Sequence, residues 1–168
     1  RSDFLSQGPK LSEFEDKVAE YCGAKYCVAL SNGTAALHLA CEVLGLRSGN
    51  TGWTSPLSFV ASANCIRYCG ANVDFIDIDI NTFNISPANV KNKFDQAKKD
   101  NVLPDVIIPV HFAGQSCDMT EIKEIADLHG CKVIEDACQA LGGEYENRKI
   151  GACQYSHITV FSLHPVKS

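Results

Sequence analysis

No apolar stretch of this 168-residue chain approaches the roughly 20 residues that cross a bilayer, so no transmembrane helix is expected. Nothing resembling a signal peptide opens it either, because the first residues are Arg1-Ser2-Asp3. Positive charge is scarce. Fifteen Lys and Arg stand against twenty Asp and Glu, for a net charge of -5 and a pI near 5.5. A nucleic-acid or anionic-membrane binder needs a basic face, so neither partner is expected. C-x2-C pairs are missing although there are nine cysteines (22, 27, 41, 65, 69, 117, 131, 138 and 153). Their odd number and their apolar neighbours, as in Tyr26-Cys27-Val28, point to reduced thiols acting as small hydrophobes in a cytosolic protein. Zinc wants four converging ligands, and neither Cys22/Cys27 nor Cys65/Cys69 has an evident histidine partner, so no metal is expected.

What remains is ordinary globular material, 45% hydrophobic and 21% charged, which excludes disorder and low complexity. A chain of this size can bury roughly 70% of its unfolded surface, enough for a proper core. It begins without Met and stops at Lys167-Ser168 with no closing element, and so reads as a fragment.

Strand and helix patterns alternate. Ser12-Glu13-Phe14-Glu15 reads as a capping box for a helix that Gly23 stops, and Tyr26–Leu30 as a short strand. Ala36, Leu39, Ala40 and Val43 share one helical face, with His38 and Glu42 on another. A weak strand surrounds Trp53, a helix covers 58–68, and a strand runs from Val73 to Ile78. Ser86-Pro87 opens a helix that turns Val90, Phe94 and Ala97 inward and leaves Lys91, Lys93, Lys98 and Lys99 in solvent. Strand 105–110, a helix capped by Asp118, strand 132–135, a hairpin over 144–150 and strand 157–161 complete the pattern. Six apolar strands between amphipathic helices indicate one α/β domain, a mostly parallel sheet covered on both faces.

Ligands of such sheets bind beyond the carboxyl ends of the strands. Ser31-Asn32-Gly33-Thr34-Ala35 follows the first, a small-residue turn into a helix whose free amides suit phosphate but which is also a common plain turn. Glu135-Asp136-Ala137-Cys138-Gln139 places a carboxylate where it either caps a helix or holds a proton on a heteroaromatic nitrogen. His111 reads as a packed core histidine, and Phe59 as a core aromatic that could stack on a planar ring. Lys167, in an apolar Pro-Val setting just past the last strand, is a candidate for covalent carbonyl chemistry. A phosphate cradle, an aspartate, an aromatic and a lysine on one sheet edge match the needs of pyridoxal phosphate.

Four motifs go further: Gly8-Pro9; Ser31-Asn32-Gly33-Thr34-Ala35-Ala36-Leu37; Glu135-Asp136-Ala137-Cys138-Gln139-Ala140; and Phe161-Ser162-Leu163-His164-Pro165-Val166-Lys167. Supported by Pro109–Gly114 and Asp118-Met119, they make the whole chain resemble the DegT-type sugar-nucleotide aminotransferases of fold type I. The resemblance implies that residues 1–168 are part of a pyridoxal 5′-phosphate-binding large domain, lacking its N-terminal extension, final sheet strand and C-terminal small domain. It implies that Lys167 bonds to the cofactor, Asp136 pairs with its ring nitrogen, and Gln139 lies near the ring. Phe59 takes the stacking position, the Thr34 and Ala35 amides beyond Gly33 hold the phosphate with the Ser162 hydroxyl, and His164 supports.

By the same resemblance the full-length enzyme is a cytoplasmic homodimer that uses an amino-acid donor, usually glutamate, and a nucleotide-sugar substrate. The motif wording is most similar to the branch serving pseudaminic-acid synthesis, which aminates C4 of a UDP-linked 4-keto-6-deoxy sugar. Thr51-Gly52-Trp53 departs from the family's aliphatic strand. Rival readings are the family's dehydratase branch, which has His where Lys167 stands, a non-catalytic nucleotide-binding module, which lacks G-x-G-x-x-G here, and a thiol or metal protein.

Overall fold

A computed structural model of the protein describes residues 7–167. The helix α1 spans Pro9–Cys22 and α2 Gly33–Val43; strand β1 is Thr51–Thr54, α3 Ala61–Tyr68 and β2 Asn72–Phe75. Then come α4 (Pro87–Asp100), β3 (Val106–Ile108), α5 (Met119–Leu128) and β4 (Lys132–Asp136). A small hairpin, β5 (Glu144–Tyr145) and β6 (Arg148–Lys149), precedes β7 (Ile158–Val160). Five strands pair in the order β2-β1-β3-β4-β7, every neighbouring pair parallel. The α/β reading therefore holds.

Side-chain alternation along each strand divides the core in two. Val106, Ile108 and Ile134 turn toward α2 and α3, where they meet Leu37, Cys41, Cys65 and Ile66. Ile107 and Val133 turn the other way, toward Val90, Phe94, Met119 and Ile122 of α4 and α5. The same alternation separates the two carboxylates at the end of β4, one to each face.

Several local expectations are corrected. The first helix starts a turn earlier than Ser12, with Pro9 in its opening turn and Gly8 as N-cap. Proline's fixed φ suits that position. Ser12 Oγ instead donates to the Pro9 carbonyl, and Glu15 accepts the Ala29 amide, 2.8 Å away. Residues 26–30 run without a strand partner among the described residues, and Tyr26, Val28 and Leu30 are exposed, so the sheet has five strands rather than six. On α2 the buried stripe is Leu37, Ala40 and Cys41, while Leu39 and Val43 face outward. Strand β2 stops at Phe75, and Ile78 makes only an isolated antiparallel bridge to Ile85. The hairpin turns through Glu146 and Asn147, both at positive φ, the twist that a two-residue turn between strands favours.

Gly52, an apparent weakness in β1, has a packing reason. A Cβ built there would meet Ile66 Cδ1 at 2.8 Å and Cγ1 at 2.9 Å, and Ile66 is fully buried. The isoleucine fills the space that other strands fill with their own side chains. Gly52→Ala should therefore destabilise the fold by about 1–3 kcal/mol through overpacking, read as a lower urea midpoint with an unchanged slope.

Candidate active site

At the carboxyl edge of the sheet, Ser58, Phe59, Val110, His111, Phe112, Asp136, Gln139 and Lys167 line an open cleft of about 340 Å³. Four residues singled out from sequence, Phe59, Asp136, Gln139 and Lys167, thus share one cavity.

Asp136 is 5% exposed and does not cap a helix, since the chain beyond it makes a turn. Its Oδ1 accepts the Cys138 amide at 3.2 Å, an Asx turn, and its Oδ2 accepts the Ser62 hydroxyl of α3 at 2.5 Å. Its backbone is clamped too, donating to the Pro109 carbonyl and accepting from the His111 amide. The carboxylate is held on both oxygens at the edge of the cleft.

Gln139 reaches across to the neighbouring loop, where its Oε1 accepts the Ala113 amide at 2.9 Å. That leaves its NH2 group to donate. Ala113 has φ 52, so this contact secures a left-handed residue. Phe59 is 63% exposed, and so is not the core aromatic that its sequence position suggests. Its ring lies under the Lys167 ammonium, 5.1 Å from Nζ to the centroid. Lys167 itself is half-buried, and Val166 beside it is 82% exposed, so the expected apolar Pro-Val enclosure is not what surrounds it. Phe59 supplies the apolar contact instead.

The turn into α2 lies outside the cleft lining, as do Ser162 and His164, and packs against the segment that follows Asp136. A Cβ on Gly33 would lie 3.0 Å from Cys138 Sγ and 3.5 Å from Ser162 Cβ, so glycine lets this helix end pack closely against the segments after β4 and β7. Asn32 is the N-cap, and its Oδ1 accepts the Ala35 amide at 2.9 Å. The Ala35 amide thus donates to its own cap. The first-turn amides of Gly33 and Thr34 have no intrahelical acceptor, as at any helix start. Ser162 Oγ accepts the His164 amide at 3.3 Å, and the His164 carbonyl accepts the Lys167 amide at 2.8 Å. The His164 side chain is exposed, so its support of the lysine turn is through its backbone.

Sequence reasoning missed four supports. Ser58 and Ser62 stand four residues apart, a spacing that could have flagged a shared face. Asn84 is buried and holds the cleft loop from both ends of its amide, donating to the Gln115 and Ser116 carbonyls and accepting the Phe112 amide. No motif signals it. Glu135 points to the opposite face from Asp136 and accepts from Ser156 and Thr159, while His111 Nε2 lies 2.8 Å from its other oxygen. Because the Cys117 amide donates to His111 Nδ1, the ring's proton is on Nε2, facing Glu135. His111 is thus the hydrogen-bonded core histidine expected of it.

The cysteines are free among the described residues. The fold does give Cys69 the histidine that the sequence did not suggest, since His38, Glu42 and Cys69 bring their donor atoms within 4.8 Å of one another. Three donors fall short of the four that a structural zinc site takes. No helix among the described residues is long and apolar enough to cross a membrane.

Known proteins similar to this chain fall in one family. The family described as DegT/DnrJ/EryC1/StrS aminotransferase matches residues 1–168. The spore coat polysaccharide biosynthesis protein SpsC of Bacillus subtilis is 41% identical over 99% of the chain. A UDP-4-amino-4,6-dideoxy-N-acetyl-beta-L-altrosamine transaminase of Campylobacter jejuni is 37% identical over 99%. The chain spans only 41% and 43% of these two relatives' lengths. Among solved structures, an aminotransferase from Brucella abortus superposes with a TM-score of 0.90 at 32% identity, over 95% of this chain and 43% of its own. NtdA from Bacillus subtilis, solved with bound cofactor PMP, superposes at 0.81 and 32% identity, over 96% and 34%.

Glu135 gives the site a pH signature. Burial pushes its carboxyl up, but the bonds from His111, Ser156 and Thr159 outweigh it and hold the group below its ordinary 4.5. Since the folded value lies below the unfolded one, the stability it contributes is complete above 4.5 and is lost as pH falls through the folded value. Glu135→Gln should be less stable than the parent near neutrality, and the gap should close in acid. Urea midpoints measured from about pH 7 to pH 3 check this.

Proposed function

Since this chain belongs to the DegT/DnrJ/EryC1/StrS aminotransferase family, we propose that the protein carrying it uses pyridoxal 5′-phosphate to aminate a nucleotide-linked sugar. The acceptor is the C4 keto group of a 4-keto-6-deoxy sugar, and the donor is an amino acid, glutamate in this reading. The observation that carries the proposal is the meeting of Lys167, Asp136, Gln139 and Phe59 in one cleft. The named activity of the Campylobacter jejuni relative supports the sugar class, and the PMP bound in NtdA supports the cofactor.

The residues present fit that cofactor. A flat heteroaromatic ring needs an apolar face, and Phe59 offers an exposed one. A ring nitrogen that carries a proton needs an acceptor, and Asp136 is the buried carboxylate at the cleft. A phosphate needs amides and a hydroxyl, and the Gly33-Thr34 helix start packed beside Ser162 offers both, with the positive end of the helix dipole added. When bound, pyridoxal phosphate would supply an electron-accepting ring and, on it, an aldehyde carbon able to carry the amino group from donor to ketone.

The protein's own part follows from the geometry. Lys167 would hold the cofactor's aldehyde carbon through its amine, and as a free amine it would move a proton between that carbon and the substrate carbon that gives or takes the amino group. Asp136 keeps the ring nitrogen's proton in place. Gln139, with its carbonyl tied to Ala113, presents an amide NH2 at the ring edge. Phe59 covers one ring face and keeps water from it. In this reading residues 1–168 form part of the cofactor-binding large domain of a cytoplasmic homodimer, and the free thiols agree with a reducing compartment.

Two measurements on the whole protein test the assignment. Borohydride reduction of the cofactor-loaded protein should attach the cofactor to the peptide containing Lys167, and Lys167→Ala should lose turnover by several orders of magnitude. Modification at a different lysine, or retained transamination in Lys167→Ala, would refute it.

A further inference from the structure

Behind Asp136 lies a two-serine relay with no part in the reaction itself. Ser62, in the first turn of α3 and 1% exposed, places its Oγ 2.5 Å from Asp136 Oδ2. Ser58 Oγ lies 2.5 Å from the same Ser62 oxygen. A hydroxyl has one proton to give. A carboxylate is the stronger acceptor, so Ser62 donates to Asp136 rather than to the Phe59 carbonyl 3.2 Å away. At 2.5 Å the two serine oxygens need a proton between them, so Ser58 donates to Ser62 rather than to the Phe59 carbonyl 3.1 Å away. The direction is therefore set: Ser58 to Ser62 to Asp136.

Ser58 lines the cleft, Ser62 is buried behind it, and the Cys138 amide holds the other carboxylate oxygen. With Oδ1 tied to its own turn and Oδ2 tied to α3, the carboxylate cannot rotate freely. We propose that Ser62, backed by Ser58, is a positioning residue: it fixes the plane in which Asp136 meets a protonated ring nitrogen. This rests on the cofactor reading above and adds a residue to it. The relay also joins the two sides of the site. Ser58 and Ser62 flank Phe59 in sequence, so the bond to Asp136 sets the spacing between the carboxylate and the aromatic face.

The test separates positioning from mere support. The whole protein bearing Ser62→Ala is titrated with pyridoxamine 5′-phosphate, which binds without a covalent link, and with its deaza analogue, in which C–H replaces the ring nitrogen. Loss of a hydrogen bond to a charged group should weaken the nitrogen-bearing ligand about tenfold or more. The deaza analogue makes no bond to Asp136, and its affinity should stay at the parent value. Equal weakening of both ligands would reduce Ser62 to a structural role and overturn the proposal, as would no change in either. Ser58→Ala, at the outer end of the relay, should show the same selective loss at about threefold. It carries the test if Ser62→Ala does not fold, and loss of neither or of both ligands overturns the proposal there too. Asp136→Ala is the control for the underlying reading. If it leaves pyridoxamine 5′-phosphate binding unchanged, the cofactor assignment falls and the relay with it.

Discussion

Burying two adjacent carboxylates at the end of β4 costs several kcal/mol per ion unless each finds donors, and much of the surrounding chain answers that demand. Strand alternation sends Asp136 to the α2/α3 face and Glu135 to the α4/α5 face, so each must be satisfied separately. Asp136 takes the Ser62 hydroxyl and the Cys138 amide, while Glu135 takes His111, Ser156 and Thr159. The donors come from α3, from the loop after β3 and from the approach to β7. Meeting the demand therefore ties together the elements that form the cleft.

The two halves of this arrangement differ in purpose. Around Glu135 every partner is internal and the cluster is closed, and it secures the loop that contributes His111 and Phe112 to the cleft wall. Around Asp136 the arrangement is open on one side. That carboxylate lines the cleft together with Lys167 and Gln139 and can still accept a ligand's proton, since each oxygen has a second lone pair. One carboxylate holds the site's shape and its neighbour lines the cleft.

Much of the fold was legible locally. The Ser86-Pro87 start of α4, with Val90, Phe94 and Ala97 buried, followed from spacing alone, as did a helix beginning after Asp118. What failed were elements whose state depends on distant partners. Residues 26–30 have strand composition, yet a strand exists only where a neighbour accepts its hydrogen bonds. The buried face of α2 was misjudged because Leu39 and Val43 are as apolar as Leu37, and only the position of the sheet decides which side faces inward. Capping went astray at Ser12 because Pro9 starts the helix earlier.

Sequence by itself determined the chemistry on offer: a lysine, an aspartate, a glutamine, an aromatic and a glycine turn, each just past a strand or before a helix. Position along a strand is local information, and in parallel sheets it points to one edge. Only the tertiary structure decided which of these residues meet and what holds them. Ser62 lies 74 residues from Asp136 in the chain, and His111 lies 24 from Glu135. Hydrogen bonds between residues so far apart come from packing helices onto a twisted sheet, and no local pattern encodes that geometry.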